Sequence, residues 1–144
     1  MMSIASAVVV ALLTYASIGA REGEYRRAIA EKILSSAHQG MPVAVEASIE
    51  LSWRAFVVSA PFAAFILQLM VYGAWSAAFK LVGGKRGFVA ALAVIATSTV
   101  LLGLFALRAV FYVGEIPPEQ PFLYLLLNAS LAALKYRSVK ADTT

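Results

Sequence analysis

The chain has 144 residues, 61% of them hydrophobic and 14% charged, with a net charge of +4 and a mean hydropathy of +0.80. A water-soluble domain of this length spreads charge along the whole chain, whereas here the twelve Lys and Arg and the eight Asp and Glu gather between apolar blocks. With no cysteine there is no disulfide, thiolate nucleophile or sulfur-bound metal, and the basic excess flanks apolar segments as membrane topology requires, which argues against a nucleic-acid partner.

Residues 1–20 carry no charge. Roughly 20 apolar residues take a helix across a hydrocarbon core about 30 Å thick, so this block reads as a first span. No basic residue precedes Arg21 and the apolar run outlasts the core of a signal peptide, which favours an uncleaved helix. Residues 21–52 form a polar connector. Tyr25, Ile29 and Ile33 recur every four residues with Ala30, Leu34 and Ala37 beside them, while Arg26, Arg27, Glu31 and Lys32 fall on other faces. That spacing predicts an amphipathic helix, lying in the membrane interface or packed on its own bundle, and ended by Gly40 and Pro42. Residues 43–51 alternate as a strand would. Glu46, Glu50 and Arg54 nevertheless share one helical face, and a lone strand at a membrane surface leaves its backbone unpaired, so helix is the expectation.

Residues 55–79 make the second span and residues 88–107 the third, neither holding a charged side chain or a histidine. The second contains Pro61 and Gln68, both of which imply a neighbouring helix. A carboxamide in lipid needs a partner, and Thr97, Ser98 and Thr99 in the middle of the third span are the expected one. The alternative is a polar path for a solute lined by Gln68 and these hydroxyls, against which stands the lack of any ionisable group deep in a span. Trp53, Tyr72 and Trp75, and Arg108 with Phe111 and Tyr112, read as interface anchors.

The junction between these spans, residues 79–88, carries Lys80, Lys85 and Arg86 and no acid. By the positive-inside rule Gly83, Gly84, Lys85 and Arg86 form a cytoplasmic basic turn, with residues 21–52 and the acidic segment 115–119 outside and Lys135, Arg137 and Lys140 inside. Residues 21–54 run against this with five basic side chains, which five Glu balance. The Gly83-Gly84-Lys85 run lacks the spacing and the Ser or Thr of a phosphate-binding loop, so the glycines read as a tight reversal and the cations as headgroup contacts. Residues 121–137 supply a marginal fourth span, opened by Pro117, Pro118 and Pro121. Asn128-Ala129-Ser130 spells a glycosylation acceptor, but inside an apolar run Asn128 reads as an interhelical hydrogen-bonding group.

Residues 52–107 resemble the central part of the Yip (Ypt/Rab-interacting protein) membrane family. The likeness rests on a long apolar helix ending in Ala77-Ala78-Phe79-Lys80-Leu81-Val82-Gly83-Gly84-Lys85, on Gly87-Phe88 opening the next, and on a charged amphipathic region after the first span. The resemblance implies a small helical bundle without enzymatic activity, linked in eukaryotes to vesicle trafficking and small GTPases. Two departures stand out: the third span has Ser98 and Thr99 where the family often has proline, and the chain has room for four spans where five are usual.

Catalytic material is sparse. His38, the sole histidine, has no carboxylate or cysteine beside it, and no span offers paired carboxylates or Ser with His, so the reading is a non-enzyme without a cofactor or metal. The expected architecture is all-α: one membrane domain over residues 1–144, a helical bundle in the cell membrane with four spans (about 1–20, 55–79, 88–107 and 121–137) and an amphipathic interfacial connector over 21–52. Its partners are the lipid bilayer and either a second copy or other membrane proteins. Three roles follow: a Yip-like scaffold, an accessory subunit of a transporter or respiratory complex, or a small channel or carrier with Gln68, Thr97 and Thr99 facing a lumen.

Overall fold

A computed structural model describes residues 1–36, 42–113 and 119–142, and among them every regular element is a helix. The elements are α1 (Met2–Ala20), α2 (Glu22–Ser36), α3 (Pro42–Val82), α4 (Gly84–Val113) and α5 (Glu119–Asp142). His38 and Gly40 lie outside the described residues, as do residues 114–118, and so do the side chains of Arg108, Phe111 and Tyr112. Helices α1, α3 and α4 are long and apolar enough to cross a membrane.

Helix α3 joins what the sequence pattern divides. It is one helix of 41 residues, about 60 Å long and twice a hydrocarbon core. Despite their strand-like alternation residues 43–51 are helical, with Glu50 paired to Arg54 at 3.0 Å and Ile49 and Trp53 packed with Tyr25 and Ile29 of α2. The helix also runs through Pro61, which has no N–H to give the ladder. At its end Gly83 (φ +67) and Gly84 (φ +54) reverse the chain within one residue of non-helical backbone. The Gly83 N–H donates to the Phe79 carbonyl at 3.0 Å, and the Gly87 N–H donates to the Gly83 carbonyl at 3.0 Å. Gly87 lets α4 start hard against α3, because a Cβ there would stand 2.7 Å from the Phe79 carbonyl oxygen.

Cross-contacts set the directions of the helices. Ser6 meets Gln68 while Ile18 joins Trp53, so α1 and α3 are antiparallel. Gln68 with Asn128, Ser76 with Lys135 and Phe79 with Tyr136 rise together, so α3 and α5 are parallel. The start of α1, the Gly83 turn and the end of α5 therefore share one end of the bundle. The opposite end holds α2, the first turns of α3 and the start of α5, where Arg21 pairs with Glu119 at 2.6 Å.

The buried stripes follow helical spacing: Gln68, Val71, Trp75 and Phe79 on α3, Tyr124, Asn128 and Ala132 on α5, and Ala91 and Ile95 on α4. A second cluster of Ile18, Tyr25, Ile29 and Trp53 ties α2 to α1 and α3. The apolar stripe of α2 is thus covered by its own bundle, with Ile33 half-buried against it and Leu34 left exposed. Most of the large apolar side chains face outward instead, among them Leu12, Val58, Phe62, Met70, Leu104 and Phe122. Among the described residues the buried polar side chains are Ser6, Gln68 and Asn128, set among buried apolar ones, so the departure from a water-soluble fold lies in the apolar exterior.

Candidate functional site

The centre of the bundle is a closed amide clasp. Gln68 and Asn128 are both 0% exposed, one on each of two parallel helices. Gln68 Nε2 donates to Asn128 Oδ1 at 3.0 Å, and Asn128 Nδ2 donates to Gln68 Oε1 at 3.0 Å. Trp75 Nε1, two turns along the same face of α3, donates to Asn128 Oδ1 at 3.3 Å. The second hydrogen of Asn128 Nδ2 serves the Tyr124 carbonyl one turn back, at 3.0 Å. Gln68 Nε2 also donates to Ser6 Oγ at 3.3 Å, which brings in α1.

Donor and acceptor inventories fix the orientation of both amides. An indole N–H only donates, so the Asn128 atom facing it is the oxygen. Ser6 spends its single hydroxyl hydrogen on the Ser3 carbonyl at 2.9 Å, so it accepts from the Gln68 nitrogen. Every amide hydrogen and oxygen of the pair is then used within the protein, as a group withdrawn from water requires. Tyr124 Oη is the exception nearby: it is buried and has no hydrogen-bond partner among the described residues.

The partner of Gln68 is thus Asn128 on α5, with no contact to the hydroxyls of α4. Thr97 is exposed. Ser98 and Thr99 donate to their own helix, to the Val94 carbonyl at 2.6 Å and the Ile95 carbonyl at 2.8 Å. Hydroxyls that bond back to the preceding turn have no need of a neighbouring helix. Trp75 is not an interface anchor either, being 0% exposed with its N–H on the clasp. Lys135 lies over its ring at 5.6 Å and donates to Ser76 Oγ at 2.7 Å, so a cation on α5 is drawn back along α3. Trp53 is also buried, under the Arg26 guanidinium at 5.0 Å.

The two ends differ in charge pairing. At the α2 end, Arg26 bridges Glu22 at 2.8 Å and Glu50 at 3.0 Å, Glu50 also takes Arg54, and Arg21 takes Glu119. Burial draws the Arg26 guanidinium down, but its hydrogen bonds to Glu50 and Glu22 outweigh this and hold it above its ordinary range. Burial pushes the Tyr25 phenol up; Arg21 opposes the rise, and Glu24 and Glu119 add to it. At the other end, residues 81–86 are all exposed, including Gly83, Gly84, Lys85 and Arg86.

Among the described residues no group of three or more His, Asp or Glu side chains could hold a metal ion. The arrangement defines an all-helical chain with a self-satisfied polar centre and an apolar exterior. Compared with family models, with curated proteins and with solved structures, the chain matches none.

Proposed function

We propose that the chain is a four-span membrane protein with a structural role, holding a compact bundle in the lipid and associating through its outer helix faces. The apolar exterior carries this reading: Val58, Phe62, Met70 and Leu104 face outward while two carboxamides are sealed at the centre. An aqueous surface of that kind would aggregate, whereas lipid solvates it. Helix α5 is the fourth span. Its 24 residues reach about 36 Å, and Asn128 sits at the level of Gln68 near the middle of the bundle. The basic turn end faces the cytoplasm, because residues 80–86 and 135–144 hold six cations and one acid.

The clasp favours a structural role over conduction. A lumen needs polar groups left free for a solute, and the Gln68 amide hydrogens are both spent on Asn128 and Ser6 while its oxygen accepts from Asn128. The likeness of residues 52–107 to the Yip family supports the same non-catalytic, scaffold-type reading. On the outer face of α3, Ala55, Ser59 and Ala63 are exposed at four-residue spacing, a pattern that lets a second helix approach closely.

Two experiments test the proposal. Reconstituted in vesicles, the protein is expected to resist alkaline extraction and to give no solute flux above empty vesicles; release by alkali or a saturable flux would refute it. In a chain without native cysteine, Ser59→Cys is expected to cross-link two copies in the membrane. A single larger complex of fixed stoichiometry, with no self-cross-link, would support the accessory-subunit role instead.

A further inference from the structure

We propose that the end of the bundle carrying the Gly83 turn is a binding surface for anionic phospholipid headgroups. The inference rests on the membrane reading above and adds a ligand class to it. Three observations converge on that face. First, four of its cations are in no ion pair: none joins Lys80, Lys85, Arg86 or Arg137 to an acid among the described residues, whereas Arg21, Arg26 and Arg54 at the opposite end are paired with Glu. Ion pairs thus gather at the α2 end, where Glu22, Glu24, Glu50 and Glu119 take part in them.

Second, the open cations are brought together by packing. The Tyr136 ring lies 5.2 Å from Phe88 and 6.5 Å from Phe79, which pins the end of α5 against both sides of the turn. Lys135 reaches Ser76 Oγ at 2.7 Å, which sets a cation of α5 one turn from Lys80 along α3. Lys85 and Arg86 occupy the first turn of α4, where the helix dipole is already positive, so each adds to a field that only an anion relieves.

Third, the turn is amphipathic in the way a headgroup layer demands. Leu81 is 86% exposed and Val89 65%, flanking the cations. These side chains enter the acyl boundary while Lys80, Lys85 and Arg86 reach phosphates a few ångströms further out. A soluble acidic partner gives the apolar rim nothing to rest on; a lipid supplies both halves.

The test uses the full chain in vesicles of equal phosphatidylglycerol and phosphatidylcholine, extracted gently and weighed by native mass spectrometry with its retained lipids. Wild type is expected to retain phosphatidylglycerol preferentially, and less so as salt is raised. The triple variant Lys80→Gln, Lys85→Gln, Arg86→Gln is expected to lose at least tenfold of that preference, since one surface cation is worth on the order of fivefold. Arg27→Gln at the opposite end is expected to keep it, and Lys80→Arg with Lys85→Arg to keep it as well. A preference in the triple variant within about twofold of wild type, well short of that per-cation factor, or one insensitive to salt, overturns the proposal. So does tight binding of soluble polyglutamate in purely zwitterionic vesicles, which would assign the face to an acidic protein. Alkaline extraction of the same samples scores insertion separately: a wild type that washes off has lost the membrane reading, whereas one that stays inserted without lipid preference has lost this inference alone.

Discussion

Replacing Asn128 by alanine tests the clasp directly. The change removes three interhelical bonds, two with Gln68 and one with Trp75. Interhelical hydrogen bonds in membrane proteins average about 0.6 kcal/mol and reach about 1.7, which gives a loss of roughly 2 to 5 kcal/mol. The upper part of that range applies because Gln68 Oε1 and Trp75 Nε1 are left buried and unpaired, at about 1–3 kcal/mol each where no water enters. The matched experiment is Gln68→Leu with Asn128→Leu, which takes away both amides and leaves fewer orphans. The pair should lose less than the sum of the two single changes, by roughly 1 to 3 kcal/mol. Unfolding in mixed micelles with increasing dodecyl sulfate, followed by far-ultraviolet circular dichroism, measures all of these, and the emission of Trp75 reports the clasp locally. An Asn128→Ala protein within about 0.5 kcal/mol of wild type, or additive Leu substitutions, would refute the reasoning.

The remaining predictions concern other parts of the fold. Gly87→Ala should lower stability by about 1–3 kcal/mol, because its Cβ meets backbone rather than a movable side chain; Gly83→Ala should lose about 1–2 from its positive φ alone, in open space, and both are read in the same unfolding assay. Tyr124→Phe should leave stability unchanged or raise it by about 1 kcal/mol, as it deletes a hydroxyl with no partner among the described residues; a loss larger than that would reveal a partner. Tyr25 should ionise above the ordinary phenol range, so the folded chain holds this proton where the unfolded chain releases it. Its stabilising contribution is complete below the unfolded value near 10 and falls as pH rises through the folded one, seen as a late step in the alkaline absorbance titration that Tyr25→Phe abolishes. Finally, Lys85→Cys and Glu31→Cys should label from opposite sides of sealed vesicles with a membrane-impermeant thiol reagent; labelling from the same side would overturn the helix directions.

Much of the fold is legible from where charges are absent. The apolar blocks 1–20, 55–79 and 88–107 each fall inside one helix, and the polar connector contains the i,i+4 stripe that α2 buries. Boundaries were less legible. Alternation and helical periodicity compete over residues 43–51, and the four-residue spacing of Glu46, Glu50 and Arg54 favours the helix that runs on into the second span, as the structure has it. In the candidate site, Gln68 and Asn128 stand out singly as carboxamides in apolar runs. Their pairing does not, since periodicity gives each a face without naming its neighbour. Thr97, Ser98 and Thr99 stand in the helix that follows α3, which makes them natural partners on paper, yet their hydroxyls can be satisfied locally and a carboxamide cannot. One signal was available for Trp75: seven residues from Gln68, it shares that residue's face. Ser6 offers none, as a small hydroxyl among small residues.

The clasp also sets an order of events during synthesis. Sixty residues separate Gln68 from Asn128, which at ribosomal rates is an interval of roughly 3 to 12 seconds. Throughout that interval Asn128 is not yet made, and it is the one donor to the Gln68 oxygen among the described residues of the folded chain. Helix α5 is therefore the element that completes the clasp begun by α1 and α3, and a chain arrested before residue 128 holds Gln68 without its amide partner.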